Sequence, residues 1–365
     1  MGVVAEEVLF PSAQETDRAE RVPAGHLAAL AGAGAFGIAG SVEPIVRRQI
    51  HRILGGACGA TYFVWAQHEG PVRLLGASAN EALKARWLDR LLAGEVVGGT
   101  AFAHLRRPGP PLVRAEPDGA GWRLHGEAPW ATGWGMAGVY SIGATTPSGS
   151  VLWVLLPADR LTPSPPLELA VLQATVTVRL RFDGTAVAAD DVMLELDRSL
   201  WDLLDDSIGN RGNPAVQGVA LRALELLEAT GPAGGDLAAV LRPELARVIE
   251  VNEALAVAAD AGQVDVPAMA AARAEAIDLA QRAALALLAA VGGRGVETSH
   301  PAQRLVREAA FYTIQARPVK AGRPPSTWPR LRPRRPSAGE PVSFRPQRDQ
   351  APGGPASSWG DVTSR

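Results

Sequence analysis

The stretch GEAPWATGWGMAGVYSIGA, residues Gly126 to Ala144, joins two β-rich runs through a short segment that contains three glycines. Similar short runs, separated by Gly and Pro, lie on both sides of it and include GWRLHG, SVLWVLLP and TVTVRLRFDG. From Thr175 to Phe182, polar and apolar residues alternate, which is the two-residue period of a strand with one solvated face. The middle of the chain, residues 97–198, is therefore predicted to be a β domain.

Helical spacing replaces this pattern on both sides of the β block. Residues 1–96 are predicted to form a helical domain, with Ser78 as the N-cap of a helix whose leucines recur at helical spacing. Residues 199–317 contain four candidate helices, namely Pro214–Ala229, Leu237–Ala259, Val266–Val291 and Pro301–Gln315. The predicted fold class is α+β, with an N-terminal helical domain, a central β domain and a C-terminal four-helix bundle.

The composition excludes several classes of function. Hydrophobic residues make up 47% of the 365 positions and charged residues 20%, so most of the chain should fold. The formal net charge of -2 offers no general attraction for nucleic acid. The one cysteine, Cys58, cannot form an internal disulfide, and the six histidines lack metal-ligand spacing. No secretory signal is visible, and the most apolar run, Ala283–Val291, is too short to span a bilayer. We therefore expect a cytoplasmic protein without a metal, a membrane span or a nucleic-acid partner.

Four segments, in consistent order and spacing, carry a resemblance to one family. Trp130-x-Thr132 lies at the end of a predicted strand, and Phe102 follows a helix that ends in a Gly-Glu pair. The other two segments are RLRFDGTAVAADDVM (Arg179–Met193) and AVGGRGVETSHPAQRLVREAAFYTIQA (Ala290–Ala316). Together they resemble the acyl-CoA dehydrogenase superfamily over about residues 20–316.

The resemblance implies a flavoprotein with FAD between the last two domains. It implies that Trp130 packs beside the isoalloxazine ring, that the Thr132 hydroxyl bonds the N5 edge and that Phe102 lines the flavin. Gly292 and Gly293 would lie near the pyrophosphate of the cofactor, often that of a neighbouring subunit, because a backbone without Cβ can approach phosphate closely. The implied reaction is α,β-dehydrogenation of an acyl-CoA or related thioester by a homodimer or homotetramer, with an unidentified electron acceptor.

The chain departs from the family in the loop after Phe102 and before the glycine turn. Arg106 and Arg107 replace the acidic and serine positions of the family's loop. We expect a solvated turn there, although two arginines could also meet a phosphate or carboxylate of a substrate. Ala289 stands where the family usually has a glutamine.

The largest departure concerns the catalytic base. The family's Glu-Gly-Thr has Ala316, Arg317 and Pro318 in its place. Asp205 and Asp206 lie near a second known position for the glutamate, but both are expected to be exposed acids. Abstraction of an α-proton needs a carboxylate within hydrogen-bond reach, so no catalytic residue is assigned.

Two alternatives to a dehydrogenase remain open. A reduced-flavin monooxygenase of the same fold suits a site without a base, because its chemistry comes from reduced flavin and oxygen. A non-catalytic relative, kept as a subunit, would need no chemistry at all.

Residues 318–365 differ from the rest of the chain. They are dense in Pro, Arg, Ser and Gly and have no helical or strand period, so we predict a disordered tail that is dispensable for folding. A basic arm that binds RNA or a partner is the alternative, and a change of reading frame near Gln315 is a further hypothesis.

Overall fold

The computed structural model describes residues 1–315, and its first part is helical. The helices are Gly2–Val4 (α1), Ala13–Arg18 (α2), Ala24–Gly32 (α3), Ile38–Ser41 (α4), Pro44–Ala57 (α5), Gly59–Gly76 (α6) and Glu81–Leu92 (α7). A π-helical turn, Ala5–Leu9, follows α1. The break between α5 and α6 falls at Cys58, which is buried and extended. These two helices follow each other directly along the chain, and together they form one wall of the candidate site.

The helix cap predicted at Ser78 lies two residues further on. Asn80 is the N-cap of α7, and its side-chain oxygen accepts a hydrogen bond from the backbone N–H of Leu83 at 3.0 Å. The Ser78 hydroxyl instead donates to the carbonyl oxygen of Met193. The prediction for Ser78 was wrong because a serine can satisfy a distant carbonyl as readily as a helix terminus.

In the described part of the chain, eight strands form one sheet. They are Gly98–Ala101 (β1), Val113–Asp118 (β2), Gly121–Ala131 (β3), Val139–Thr145 (β4), Val151–Pro157 (β5), Thr162–Pro163 (β6), Val178–Val187 (β7) and Val192–Leu196 (β8). Their order is β6-β7-β3-β2-β4-β5-β8, and β1 pairs with β4 in parallel. The long β3–β7 ladder is antiparallel and ends where Ala131 pairs with Val178.

The strand predicted from Thr175 begins only at Val178. Leu172 and Val176 have φ values of 60° and 46°, so the backbone between them turns through a short 3₁₀ segment. A positive φ is rare for a β-branched residue and marks local strain. The backbone N–H groups of Gly133 and Trp134 donate to the carbonyls of Thr175 and Val176 at 2.8 and 3.1 Å. This strained turn therefore braces the chain just after β3.

Helices return after the sheet. They are Arg198–Asn210 (α8), Pro214–Glu228 (α9), Pro232–Asp260 (α10), Val266–Val291 (α11) and Pro301–Phe311 (α12). Three of these helices have an N-cap side chain that accepts a hydrogen bond from a backbone N–H. The capping residues are Asn213, Asp265 and His300. The predicted fold class, helices followed by a β domain and a helical bundle, is confirmed. The predicted tail lies outside the described residues.

Glycines let α5 and α9 touch. A Cβ added to Gly218 would lie 1.9 Å from the carbonyl oxygen of Arg52, and one added to Gly56 would lie 2.6 Å from that of Gly218. Such distances cannot occur, so these positions require glycine. The close crossing ties the N-terminal helices to the C-terminal bundle, and both share one apolar core.

One helical segment among the described residues, Val266–Val296, is long and apolar enough to cross a membrane by length and composition. Its residues Leu279, Ala283 and Leu287 are buried in the shared core. Helix α11 packs against α9, α10 and α12.

Candidate active site

A cavity of about 700 Å³ opens between the helical pair α5–α6, the sheet and the C-terminal helices. The predicted flavin residues Phe102, Trp130 and Thr132 all line it. This volume falls within the usual range for pockets that hold cofactors and substrates. The structure thus brings together three residues that the sequence placed in two separate segments.

Trp130 and Thr132 lie at the carboxyl end of β3 and differ in exposure. The Trp130 side chain is 43% exposed, whereas Thr132 is 6% exposed. An indole left open inside a cavity offers an apolar face to a planar ring. With the hydroxyl two residues away, this arrangement fits the predicted flavin ring, with Trp130 as a wall and Thr132 beside it.

The Thr132 hydroxyl belongs to a short chain of threonines. Its Oγ1 lies 3.1 Å from Oγ1 of Thr177, which lies 3.0 Å from Oγ1 of Thr175. Thr175 donates its proton to the carbonyl oxygen of Leu172 at 2.7 Å. Because each hydroxyl has one proton, rotation of Thr177 decides whether Thr132 donates into this chain or keeps its proton for the cavity.

Phe102 is held by an aromatic cluster next to an ion pair. Its ring packs at 5.5 Å from Trp153 and 5.9 Å from Trp201, and the Arg106 guanidinium lies 5.0 Å from its centroid. Arg106 makes bidentate hydrogen bonds to Asp205, with contacts of 2.7 and 2.8 Å. The expectation of a solvated turn was therefore wrong for Arg106, and Asp205 is a buried, paired acid rather than an exposed one.

Sequence reasoning missed a second polar group on α5 and α6. His51 Nε2 lies 3.0 Å from a carboxylate oxygen of Glu69, and Nδ1 lies 3.0 Å from the hydroxyl of Tyr62. Tyr62 donates to Asn213 at 3.3 Å, and the amide of Asn213 donates to Gln315 at 3.4 Å. These residues form a continuous hydrogen-bonded chain along the cavity wall. His51 appears isolated in the sequence, and only its spacing on α5 with Arg47 and Arg48 could have drawn attention to it.

The charges of this group are set by their neighbours. Burial raises the pKa of Glu69, but His51, together with Arg47 and Arg73, outweighs burial and the pKa lies below its usual value. Burial also raises the pKa of Tyr62, so the phenol stays protonated. Glu69 is therefore an ionised carboxylate that orients His51, and the protonated Tyr62 hydroxyl lies between His51 and Asn213.

Arg273 marks the other side of the cavity. It donates to the carbonyl oxygens of Gly209 and Gln315. Burial lowers its pKa to about 10, and the positive charge of Arg106 adds to the effect. Arg273 thereby links α11 to the end of α8 and to the residues after α12.

Gly292 and Gly293 lie away from this cavity. They follow α11, are exposed, and a Cβ at either position would have no neighbour within 4 Å. Their predicted contact with a cofactor pyrophosphate, often that of a neighbouring subunit, stays a prediction. Among residues 1–315, no group of three or more His, Cys, Asp or Glu side chains could hold a metal.

The family comparisons agree with the fold. Residues 229–316 match the family model for the acyl-CoA dehydrogenase C-terminal domain. A glutaryl-CoA dehydrogenase from Mycobacterium smegmatis in complex with FADH2 superposes with a TM-score of 0.75 at 18% identity, covering 87% of this chain and 89% of that one. Residues 229–316 thus match the acyl-CoA dehydrogenase C-terminal domain, and the chain as a whole shares the acyl-CoA dehydrogenase fold. The predicted resemblance is confirmed for the fold and the C-terminal domain. The predicted absence of the catalytic glutamate stays a prediction.

Two further solved structures share the fold. Butyryl-CoA dehydrogenase from Megasphaera elsdenii has a TM-score of 0.72 at 17% identity and covers 87% of this chain and 92% of its own. Dibenzothiophene monooxygenase from Paenibacillus sp. A11-2 has a TM-score of 0.70 at 16% identity and covers 86% and 92%. No curated protein sequence matches the chain. At such identities the acyl-CoA dehydrogenase fold is shared, while the reaction has to be argued from the site.

Proposed function

We propose that this protein is an FAD-binding oxidoreductase that acts on an acyl-CoA or related thioester by α,β-dehydrogenation. The observation that carries the proposal is that Phe102, Trp130 and Thr132 open into one cavity of about 700 Å³. The superfamily fold supports it, because a relative with the same fold holds FADH2. We further propose a cytoplasmic homodimer or homotetramer, with an electron acceptor that the site does not identify.

The residues of the chain would divide the work as follows. Trp130 provides an apolar wall for the isoalloxazine ring, and Phe102, fixed by Trp153 and Trp201, provides a second aromatic surface. Thr132 presents its hydroxyl at the wall, where the threonine chain sets its direction. Bound FAD would supply a hydride acceptor.

Removal of the substrate α-proton is the step that the residues of this site support least. Among residues 1–315, two carboxylates line the cavity, and each is held by a basic side chain: Asp205 by Arg106 and Glu69 by His51. A carboxylate whose oxygens already interact with a neighbouring basic side chain is less available to take an α-proton. The donor and acceptor atoms of Glu69, His51 and Tyr62 are mostly satisfied by one another and by Asn213.

This pairing of both carboxylates favours one second candidate, a flavin monooxygenase. Such an enzyme uses reduced flavin and oxygen and does not depend on a carboxylate to remove an α-proton. The dibenzothiophene monooxygenase shares the fold. A non-catalytic subunit of the same fold is the third candidate, and it predicts a purified protein without bound flavin.

Replacing Trp130 with Ala is expected to weaken flavin binding about 100-fold, because a stacked aromatic surface worth roughly 3 kcal/mol is removed. Folding should survive, since the side chain is 43% exposed and supports no core. The measurement is the flavin-to-protein absorbance ratio and the dissociation constant after reconstitution. Trp122→Ala is the matched control, because Trp122 lies on the same strand but outside the cavity. Equal flavin affinity in the Trp130→Ala variant would show that Trp130 does not touch the ring.

Reduction of the bound flavin by acyl-CoA is expected to be slow. The loss of a dedicated general base typically costs about 10²- to 10⁴-fold in rate. Anaerobic bleaching of the flavin by short, medium, branched and aromatic acyl-CoAs would measure this, with the Megasphaera butyryl-CoA dehydrogenase assayed alongside. Bleaching as fast as in that enzyme would contradict the prediction and require a base that we have not assigned. Bleaching only by a flavin reductase would favour the monooxygenase.

A further inference from the structure

Two arginines without an acidic hydrogen-bond partner lie on the α5–α6 wall of the cavity. Arg47, Arg48 and His51 are spaced for one face of α5. On α6 the lining residues include Tyr62, Ala66, Glu69, Gly70 and Arg73, which recur every three to four positions. Arg47 and Arg73, here called the arginine pair, therefore face a common space from two adjoining helices.

The other arginines around the cavity are already engaged. Arg106 is paired with Asp205, and Arg48 and Arg211 are both paired with Asp260. Arg273 donates to backbone carbonyls. Among residues 1–315, neither member of the arginine pair has an ion pair or a side-chain hydrogen bond, so both keep their donors for a ligand.

Glu69 interacts electrostatically with both arginines but forms no hydrogen bond or ion pair with either of them. Its carboxylate lies 3.0 Å from His51, and its negative charge is shared among His51, Arg47 and Arg73. The Arg73 side chain lines the cavity and stays in contact with solvent, although protein surrounds much of the side chain. Burial lowers its pKa, Glu69 opposes that effect, and the like charges of Arg47 and Arg211 add to it. An anion at this position would relieve the repulsion between the arginines.

We propose that the arginine pair binds a carboxylate of the substrate, so that the preferred thioester is that of a dicarboxylic acid. This inference rests on the proposed function. A guanidinium matches a carboxylate with two parallel hydrogen bonds, and two guanidinium groups in one cavity give both charge and direction. Along α6, Arg73 lies six residues, about 9 Å, from Gln67. Gln67 accepts a hydrogen bond from Thr100 of β1 at 2.7 Å. A carboxylate and a thioester of one acyl group can therefore occupy the two regions.

The phosphates of CoA are the other source of an anion for these arginines. The two sources predict that the binding affinity of a thioester depends on different parts of the molecule. A substrate carboxylate makes affinity depend on the end group of the acyl chain, and a CoA phosphate makes it depend on the carrier.

The test compares adipyl-CoA with hexanoyl-CoA, which differ in a terminal carboxylate against a methyl group, by calorimetric titration of the flavin-loaded protein. We expect adipyl-CoA to bind at least about tenfold more tightly, as a charge-assisted hydrogen bond allows. In Arg73→Gln and Arg47→Gln this ratio should fall toward one, and Arg73→Lys should keep part of it. Arg181→Gln, which removes an exposed arginine of β7, should leave the ratio unchanged. Flavin content should be the same in all variants, and a loss in the arginine-pair variants would mean that they hold the cofactor instead.

The N-acetylcysteamine thioesters of the same acids, which lack phosphate, separate the two sources. The preference for the adipyl compound should persist with them. Equal weakening of both CoA thioesters by the substitutions, without an effect on the short thioesters, would overturn the proposal in favour of a phosphate site. If no thioester binds, free adipate against hexanoate decides. Adipate binding that depends on the arginine pair would support the anion site and contradict the thioester function. Absence of adipate binding would overturn the anion site.

Discussion

Lowering the pH from 7 to 4 is expected to reduce the free energy of unfolding by about 3 kcal/mol for each of two buried histidines, His68 and His104. Burial lowers the pKa of each imidazole to about 4. In the unfolded chain the pKa is close to the model-peptide value of 6.5. As the pH falls below 6.5, the unfolded chain takes up protons that the folded protein cannot, so stability falls until the folded pKa is reached.

The contacts of both rings explain why they stay neutral. His68 is fully buried, and its Nδ1 accepts a hydrogen bond from the backbone N–H of Gly98 at 2.9 Å. Protonation of Nδ1 would remove that acceptor. His104 bonds the carbonyl oxygen of Gly143 through Nε2 at 2.7 Å, and its buried Nδ1 has no partner in the described part of the chain. Protonation there would bury an unpaired donor.

Urea unfolding at a series of pH values measures the effect. His68→Gln and His104→Gln should each flatten the curve between pH 6.5 and 4 by about 3 kcal/mol, whatever their stability at pH 7. His125→Gln, which removes a more exposed imidazole of β3, is the control. A variant curve that runs parallel to that of the wild type would contradict the prediction for that histidine.

Replacing Arg304 with Leu is expected to lower the free energy of unfolding by about 3–5 kcal/mol. Arg304 is fully buried and donates to both carboxylate oxygens of Glu308 at 2.8 and 3.0 Å. Glu308 in turn accepts from the backbone N–H of Gly59 at 3.1 Å, at the junction of α5 and α6. Burial raises the pKa of Glu308 and Arg304 opposes this, so loss of the arginine leaves a buried acid without its cation.

The controls separate the buried pair from charge in general. Arg282→Leu removes an exposed arginine paired with Glu244 and Asp278 and should cost at most about 1 kcal/mol. The double change of Arg304 and Glu308 to Leu should cost less than Arg304→Leu alone, because no unpaired charge remains. The prediction is wrong if urea unfolding at pH 7 shows no greater loss for Arg304→Leu than for Arg282→Leu.

Local sequence pattern was sufficient to predict the fold class. Three of the predicted site residues also line one cavity. The period of two in β7 and the helical spacing in α11 are properties of neighbouring residues, so the sequence alone contains them. Trp130 and Thr132 are two residues apart at the end of β3 and line the same cavity. Ser78 and Thr175 were misassigned because a distant carbonyl and a strained turn changed the local preference.

The amino-acid sequence by itself determined the order of the helical and β parts, the acyl-CoA dehydrogenase-like fold and the segment that presents Trp130 and Thr132. Only the tertiary structure decided which charges meet. Arg106 and Asp205 are 99 positions apart, and the crossing of α5 over α9 places His51 and Tyr62 beside Asn213. Ionic and hydrogen-bond partners are chosen by distance in space, and a chain has no local period that encodes such a distance. The state of each pocket carboxylate, and the freedom of Arg47 and Arg73, therefore follow from packing alone.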